Sequence, residues 1–427
     1  MKVCIIGTGY VGLPTGLGFC ILGHKVVCVD KDASKVAMLN YGNSTLYEPY
    51  LKEILTKSLK EQSISFTTNI KDALKDAQVV ILAVGTPTSK DGVSADLTYI
   101  KQAAQEVAAN LPKTYTVVCI KSTVPVGTND FIENIFKQYC LHSNWDICSL
   151  PEFLKEGNAI MDFLLADRIV IGTDSPRAKA KLTKLYANHK SPQLVVSRRS
   201  AELIKYASNA FLAIKINYIN EIANLCEKCG AKIDEVAKGM GMDKRIGNQF
   251  LKAGIGFGGS CFPKDTKALT YTAREYRTNV PLVDVAILEN DSRIGQLVKR
   301  ITHLVKPTQK LALLGLTFKA NTDDCRESQA IKIAKELSKK YKHISVYDPK
   351  GMDNAKKLLK DKVEYAKLSI DAVKGADAII ILTGWNCFKV NFKKLLKNTK
   401  KSCIIIDYVN LLNPKQVTNH KYYCIGK

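Results

Sequence analysis

Six residues near the start of the chain restrict its fold more than any other feature. Gly7-Thr8-Gly9-Tyr10-Val11-Gly12 follows the apolar run KVCII and opens the helical segment GLPTGLGFCILG. The run KVVCVD comes next and ends on Asp30. A strand, a glycine turn, a helix and a second strand make one βαβ unit. The first glycines permit a tight turn and close backbone approach to a pyrophosphate, and the helix N-terminus offers it unpaired N–H groups. A carboxylate at Asp30 accepts hydrogen bonds from a ribose 2′-OH and repels a 2′-phosphate, which predicts NAD over NADP. A glycine turn with no ligand is the alternative, but strand, turn, helix, strand and acid all fall in register here.

The pattern continues. AQVVILAVGTP, TYTVVCIKSTV and RIVIGT are short apolar runs separated by helix-like segments such as LTYIKQAAQEVAANL. Strands alternating with helices imply a parallel sheet, because parallel strands need crossover connections. From Ser200 the texture changes: SAELIKYASNAFLAIKINYINEIANLCEKCG keeps helical periodicity without a glycine or proline break. This predicts a long central helix, followed by shorter helices to about Val305. After Pro307 the alternation returns in KLALLGLTF, HISVYDP, DAIIILTG and SCIIIDY. With 427 residues the chain exceeds one hydrophobic core. The expected fold is α/β: two Rossmann-like doubly wound domains joined by a long central helix and a helical middle region. Residues 1–198 would bind the dinucleotide, 199–305 form the helical domain and 306–427 the second α/β domain, in two lobes with a cleft.

Charge and cysteine content exclude other classes. A net charge of +23 suits a nucleic-acid binder, yet only ten of the 63 basic residues are arginine. The lysines are spread along amphipathic helices without a DNA or RNA motif, which points to a solvated surface and no nucleic acid. The same excess attracts polyanionic small molecules such as dinucleotides and nucleotide sugars. No apolar run is long enough for membrane insertion. Of 13 cysteines, Cys4, Cys28, Cys119 and Cys403 sit in strand-like runs as core residues. Cys226 and Cys229 have C-x-x-C spacing without a second pair, so no metal is expected. A cytoplasmic, reducing location follows.

The segment GIGFGGSCFPKD puts Cys261 after Gly254, Gly256, Gly258 and Gly259, with Lys264 and Asp265 just beyond. Glycines admit a ligand to the backbone, and a nearby lysine favours the nucleophilic thiolate. Taken alone, the segment reads equally well as a glycine-rich loop with a buried cysteine.

GTGYVGLPTG, STVPVGT, PEFLKEGNA, KYASNAFLA, GFGGSCFPKD and LGLTFKANTDDCRES occur in an order that resembles the UDP-glucose/GDP-mannose dehydrogenase family over nearly the whole chain. In that family an alcohol is oxidised to an acid by two NAD, through a thiohemiacetal and a thioester on the cysteine. The resemblance implies that Lys205 stabilises the oxyanions, with Asn209 four residues on along the helix. Asp265 would handle protons or orient water, and Thr123 and Glu152 would hold the hydrolytic water. Outside this motif a helical Lys and Asn pair is usually a solvated face.

The resemblance also implies cofactor contacts at Gly7, Gly9, Tyr10, Val11, Gly12, Asp30, Lys35, Thr86, Thr123, Glu156, Lys264 and Arg326. The nucleotide sugar would meet Glu152, Phe153, Leu154, Lys155, Glu156, Lys205, Asn209, Phe250, Leu251, Lys252, Ala253, Gly254, Phe257, Gly258 and Lys319. Arg245 resembles an arginine that reaches substrate across a dimer interface, and the family's homodimer is built around the long helix. The second α/β domain opens LALLGLTFK without a G-x-G-x-x-G pattern. It therefore suits the uridine diphosphate better than a second dinucleotide.

MDKRIGNQFLKAGIGFGGSCFPKD looks most like the branch that acts on UDP-glucose, which makes UDP-glucose the expected substrate. GDP-mannose and UDP-N-acetylmannosamine are the alternatives. A two-electron hydroxyacid dehydrogenase would need no nucleophilic cysteine, and a binding protein that had lost catalysis should have lost part of the set Cys261, Lys205, Asn209 and Asp265.

Overall fold

Val3 and Ile5 face one side of the first strand and Cys4 and Ile6 the other, and in the computed structural model all four are buried. Such a run is apolar on both faces, as a parallel sheet covered by helices requires. The structure describes residues 1–417 and 419–427. It divides into two compact units, residues 1–208 with 271–278, and residues 209–270 with 279–427.

The first unit is built on β1 (Lys2–Ile6), β2 (Lys25–Val29), β3 (Ile64–Thr67), β4 (Val79–Leu82), β5 (Thr116–Ile120), β6 (Trp145–Ser149), β7 (Ile169–Gly172) and β8 (Gln193–Val196). Their order is β3-β2-β1-β4-β5-β6-β7-β8, parallel except where β7 runs against β6. The chain steps outward from β1 in one direction and from β4 in the other. The crevice beyond the carboxyl ends of β1 and β4 is therefore a topological switch point, where doubly wound sheets bind ligands.

The second unit carries β9 (Leu311–Leu314), β10 (Ile344–Tyr347), β11 (Glu364–Tyr365), β12 (Ala378–Ile381), β13 (Ile404–Asp407) and β14 (Tyr422–Cys424). All pair parallel, in the order β11-β10-β9-β12-β13-β14, which repeats the first six strands of the other sheet. Leu311 and Leu313 face one core, together with Ile219, Ala223 and Cys226 of the long helix. Ala312 and Leu314 face the other.

The long helix spans Arg198–Cys229, 32 residues, and the division between the units falls inside it. Of the helices that follow, Pro281–Leu304 has 24 residues and is shorter than the central one. Among the described residues no helix is long and apolar enough to cross a membrane.

The two sheets differ where a ligand would sit. After β1 the chain turns at once into the helix Gly12–Ile21. After β9 it wanders until the helix Gln329–Ser338. Asp348 follows β10 as Asp30 follows β2, but Asp348 is 1% exposed and takes six donors from its own chain. They are the N–H groups of Leu316, Thr317, Lys350 and Gly351, the Thr317 hydroxyl and the Trp385 indole.

Candidate active site

The three glycines of the first turn have separate physical reasons. Gly7 has φ +100°, and a Cβ there would stand 2.6 Å from the Ala83 carbonyl oxygen. A Cβ on Gly12 would come 1.9 Å from the Gly7 oxygen, so the third glycine lets the helix start against the turn. A Cβ on Gly9 would meet nothing within 4 Å. Packing does not demand that glycine, and its absent side chain leaves the backbone of the turn bare. Tyr10 and Val11 lead into the helix, whose N-cap, Val11, offers no side-chain cap, and whose first turn carries no acid. The Leu13 N–H already donates to the Gly9 carbonyl at 3.1 Å and Pro14 has none, so an anion would meet the N–H groups of Val11 and Gly12. These residues fit a dinucleotide.

Asp30 Oδ2 accepts from the Thr8 N–H at 3.1 Å, from the Thr8 hydroxyl, and from Lys35 Nζ at 2.9 Å. Among the described residues its Oδ1 takes the Asp32 N–H alone, at 3.2 Å. Burial alone would raise the Asp30 pKa, but the bonds from Thr8 and Lys35 outweigh it and hold the carboxyl below its ordinary range. Lys35, which outside the family motif would pass for a surface charge, thus steadies the acid. Thr8, not expected to have a role, sets its orientation.

Across the switch point the Thr86 hydroxyl donates to the Thr123 carbonyl at 2.8 Å. Thr123 lies just past β5 in the segment STVPVGT, whose far end is fixed from the long helix. Gly127 has no side chain to cap the helix Thr128–Tyr139, and Glu202 supplies the carboxylate, accepting the Gly127 and Asn129 N–H groups at 2.7 Å each. Burial pushes Glu202 above the ordinary carboxylate range despite these donors.

Glu202, Lys205 and Asn209 lie at helix positions i, i+3 and i+7, and all three are buried. They form a polar stripe on one face of the long helix, where a solvated Lys and Asn would be exposed. Lys205 Nζ bonds Glu152 Oε1 at 2.9 Å, with each side chain 5% exposed. Burial would raise Glu152, but the Lys205 charge and hydrogen bond bring it below its ordinary value. The other Glu152 oxygen accepts the Leu154 N–H. Phe153 lies between cations, with the Arg168 guanidinium 3.9 Å and Lys205 Nζ 5.4 Å from its ring centre. Lys155 pairs with Asp162 at 3.3 Å, and Glu156 follows in the same loop. Glu48, absent from any expectation, accepts the Gly157 and Ala159 N–H groups at 2.8 and 2.6 Å and anchors that loop.

In the second unit Cys261 stands immediately before the helix Phe262–Glu275, and its carbonyl accepts the Asp265 N–H at 2.8 Å. A helix N-terminus favours negative charge, so this position suits a thiolate. The cue was legible in Pro263, which belongs in a first helical turn. Asp265 is fully buried, and accepts from Asn209 Nδ2 at 2.6 Å and from Lys264 Nζ at 2.5 Å. Cys261, Lys264, Asp265 and Asn209 are thereby brought together.

The stretch before the cysteine is shaped by polar groups that sequence reasoning missed. The Gly254 N–H donates to Asn220 at 2.8 Å, and its carbonyl accepts from Arg293 Nε at 2.7 Å. Asn290 exchanges two bonds with the Phe257 backbone, at 2.7 and 3.0 Å. A Cβ on Gly258 would lie 2.4 Å from the Glu327 carbonyl oxygen. Leu251 and Ala253 are buried, Phe250 adopts φ +63° with its ring 6.0 Å from Phe262, and Lys252 is exposed. Lys319 Nζ lies 5.4 Å from the Phe318 ring, and Arg326 pairs with Asp324 at 2.7 Å. Arg245 is 89% exposed and, among the described residues, pairs locally with Asp243, apart from the clusters above.

Comparison with known proteins finds one family along the chain. Residues 1–190 match the NAD binding domain of the UDP-glucose/GDP-mannose dehydrogenase family, 199–292 its central domain and 312–414 its UDP binding domain. The chain is 44% identical to a UDP-glucose 6-dehydrogenase of Rhizobium meliloti (strain 1021), covering 100% of both. It is 44% identical to UDP-glucose 6-dehydrogenase YwqF of Bacillus subtilis (strain 168), covering 100% of this chain and 98% of that one. Among solved structures, a UDP-glucose dehydrogenase from the hyperthermophilic archaeon Pyrobaculum islandicum superposes with a TM-score of 0.92 at 34% identity, over 99% of this chain and 96% of the other.

Proposed function

The chain belongs to the UDP-glucose/GDP-mannose dehydrogenase family, and on that basis we propose that it oxidises UDP-glucose at C6 to UDP-glucuronate with two NAD. The observation that carries the reading is Cys261 at the head of a helix, beside Lys264, Asp265 and Asn209. Turning a primary alcohol into a carboxylate removes four electrons, and the aldehyde formed halfway must not escape. A thiolate in the site solves this by bonding to it.

NAD, when bound, accepts a hydride at each of the two oxidations. The glycine turn, with the N–H groups of Val11 and Gly12, would hold its pyrophosphate, and Asp30, oriented by Thr8 and Lys35, its ribose. The Thr86 and Thr123 pair, Tyr10, Val11, Glu156, Lys264 and Arg326 complete the cofactor contacts. As C6 gives up its first hydride, the hydroxyl proton leaves to a base, and Lys205 stabilises the oxygen. The Cys261 sulfur then adds to the aldehyde carbon, forming a C–S bond and a thiohemiacetal. The second oxidation turns this into a thioester. Water held by Thr123, Glu152 and Asp265 adds to the carbonyl, the C–S bond breaks, and the acid leaves.

Phe153, Leu154, Lys155, Asn209, residues 250–254, Phe257, Gly258 and Lys319 are assigned to the nucleotide sugar, and Arg245 to the sugar of a partner subunit. The dimer has its own support. Phe211, Tyr218 and Leu225 recur every seven residues along the long helix, 62%, 48% and 59% exposed. Leu282, Val285 and Leu288, also exposed, line the neighbouring helix. An apolar seam of this kind fits a homodimer. Thirteen cysteines, several of them plain core residues, suit a reducing cytoplasm.

The test is absorbance at 340 nm with NAD and, in turn, UDP-glucose, GDP-mannose and UDP-N-acetylmannosamine. UDP-glucose should give about two NADH per sugar, as four-electron chemistry on a covalent cysteine demands. One NADH per sugar rules out the thioester route, and a response to another sugar alone corrects the substrate.

A further inference from the structure

One buried charge near Glu152 is not used in the mechanism above. Lys121 follows β5, is 4% exposed, and lines a cavity of about 140 Å³ together with Glu152, Phe153, Leu154 and Arg168. Two buried ammonium groups, those of Lys121 and Lys205, therefore act on one buried carboxylate, and Lys205 makes the hydrogen bond to it. Burying an unneutralised charge costs several kcal/mol, and a methionine would fill the place more cheaply. A buried excess of positive charge at such cost belongs with function.

We propose that Lys121 is a positioning residue for the Lys205–Glu152 pair: its charge keeps Glu152 ionised and makes the Lys205 ammonium a readier proton donor than a lysine paired alone. The assignment rests on the activity proposed above and deepens it. Burial brings Lys121 itself down to about 8, with Glu152 acting against that shift and Lys205 adding to it.

The other ionisable groups around the cavity do not compete. Cys119, on β5, and Tyr186 are held neutral by burial. His189 bonds the Phe163 carbonyl. Lys155 and Asp162 offset each other at 3.3 Å, while Arg168, stacked on Phe153, and Asp167 bring opposite charges to the rim. None leaves Glu152 a second unshared cation.

The experiment is the pH profile of kcat in the full-length enzyme, read as NADH formation, for wild type, Lys121→Met, Lys121→Gln and Lys121→Arg. Loss of the charge raises the pKa of Glu152. In Lys121→Met and Lys121→Gln the acid limb should therefore move to higher pH, by roughly one unit for an opposite charge at close range. Lys121→Arg, which keeps the charge, should leave the acid limb in place. An acid limb that stays put or moves to lower pH in the neutral variants, or that moves in Lys121→Arg, overturns the proposal.

Denaturant unfolding supplies a readout that needs no turnover. The unfolded chain holds a proton on Lys121 up to the ordinary lysine value of 10.5, whereas the folded chain releases it near 8. Wild type should gain stability relative to Lys121→Met as the pH rises through that window. A flat difference removes the buried charge on which the proposal stands. A wild type that makes no NADH from any of the three sugars overturns the activity reading instead, and the unfolding series then judges Lys121 by itself.

Discussion

Glu202 Oε1 accepts both the backbone N–H and the side-chain amide of Asn129, at 2.7 and 2.5 Å, across 73 positions of sequence. Since Gly127 cannot cap the helix behind it, this carboxylate fixes the segment that carries Thr123. Glu202→Ala should lose about 2–4 kcal/mol of stability, the sum of a lost cap and orphaned donors. The raised pKa sets the sign with pH: the folded chain binds this proton more tightly than the unfolded chain. The advantage of wild type over Glu202→Ala is full below the ordinary glutamate value and shrinks as pH rises through the raised one. Urea midpoints at a series of pH values measure it; an advantage that grew with pH would contradict the assignment.

Gly9 and Gly12 should respond in opposite ways to the same methyl group. Gly12→Ala drives a Cβ into the Gly7 carbonyl, and should cost more than about 2 kcal/mol in stability. Gly9→Ala meets open space and should melt like wild type, while NAD binding falls at least tenfold. Thermal melting with and without NAD separates the two effects. Equal NAD affinity in Gly9→Ala would place the pyrophosphate elsewhere.

Asp30→Ala should weaken NAD by roughly ten- to a hundredfold, the worth of hydrogen bonds to a charged group. It also removes the repulsion of a 2′-phosphate, so the preference for NAD over NADP should narrow in kcat/KM. An unchanged preference would take the ribose away from Asp30.

Cys261→Ala should form no acid, even if one hydride transfer per sugar survives. The product analysis is chromatographic: aldehyde and at most one NADH, in place of acid and two. Full acid production by this variant assigns the nucleophile to another residue.

Leu225→Glu puts a charge in the seam of Phe211, Tyr218 and Leu225. The homodimer proposed above requires wild type to sediment as a dimer and this variant as a monomer at the same concentration, with the fold intact because Leu225 is 59% exposed in the single chain. A variant that stays dimeric would move the interface off this face.

The sequence announced its sheets unevenly, and the reason is packing. Runs buried on both faces, such as KVCII and AIII, are apolar throughout and were legible. ISFT, WDICS, QLVV and YYC were not, since three of them edge a sheet or mix polar with apolar residues and WDICS is half polar. The reversal of β7 against β6 left no local signal. At the site, glycines and Asp30 could be read because backbone geometry dictates them. Glu202, Glu48, Asn220, Asn290 and Lys121 could not, because each takes its meaning from partners far away in sequence. Lys205 and Asn209 drew attention only through a family motif; by periodicity alone they are ordinary polar positions, and burial was the missing fact.

The six donors gathered on Asp348 give the second sheet a consequence of its own. Its carboxylate is a finished joint, closed by the chain when folding ends, while Asp30 still presents an oxygen with one long contact. The second sheet thus closes this carboxylate with its own chain, whereas the first leaves Asp30 an oxygen for a guest. Loading with NAD should slow amide exchange around β1, β2 and β4 far more than around β9, β10 and β12, because the cofactor finishes a joint in the first sheet that the second finishes for itself.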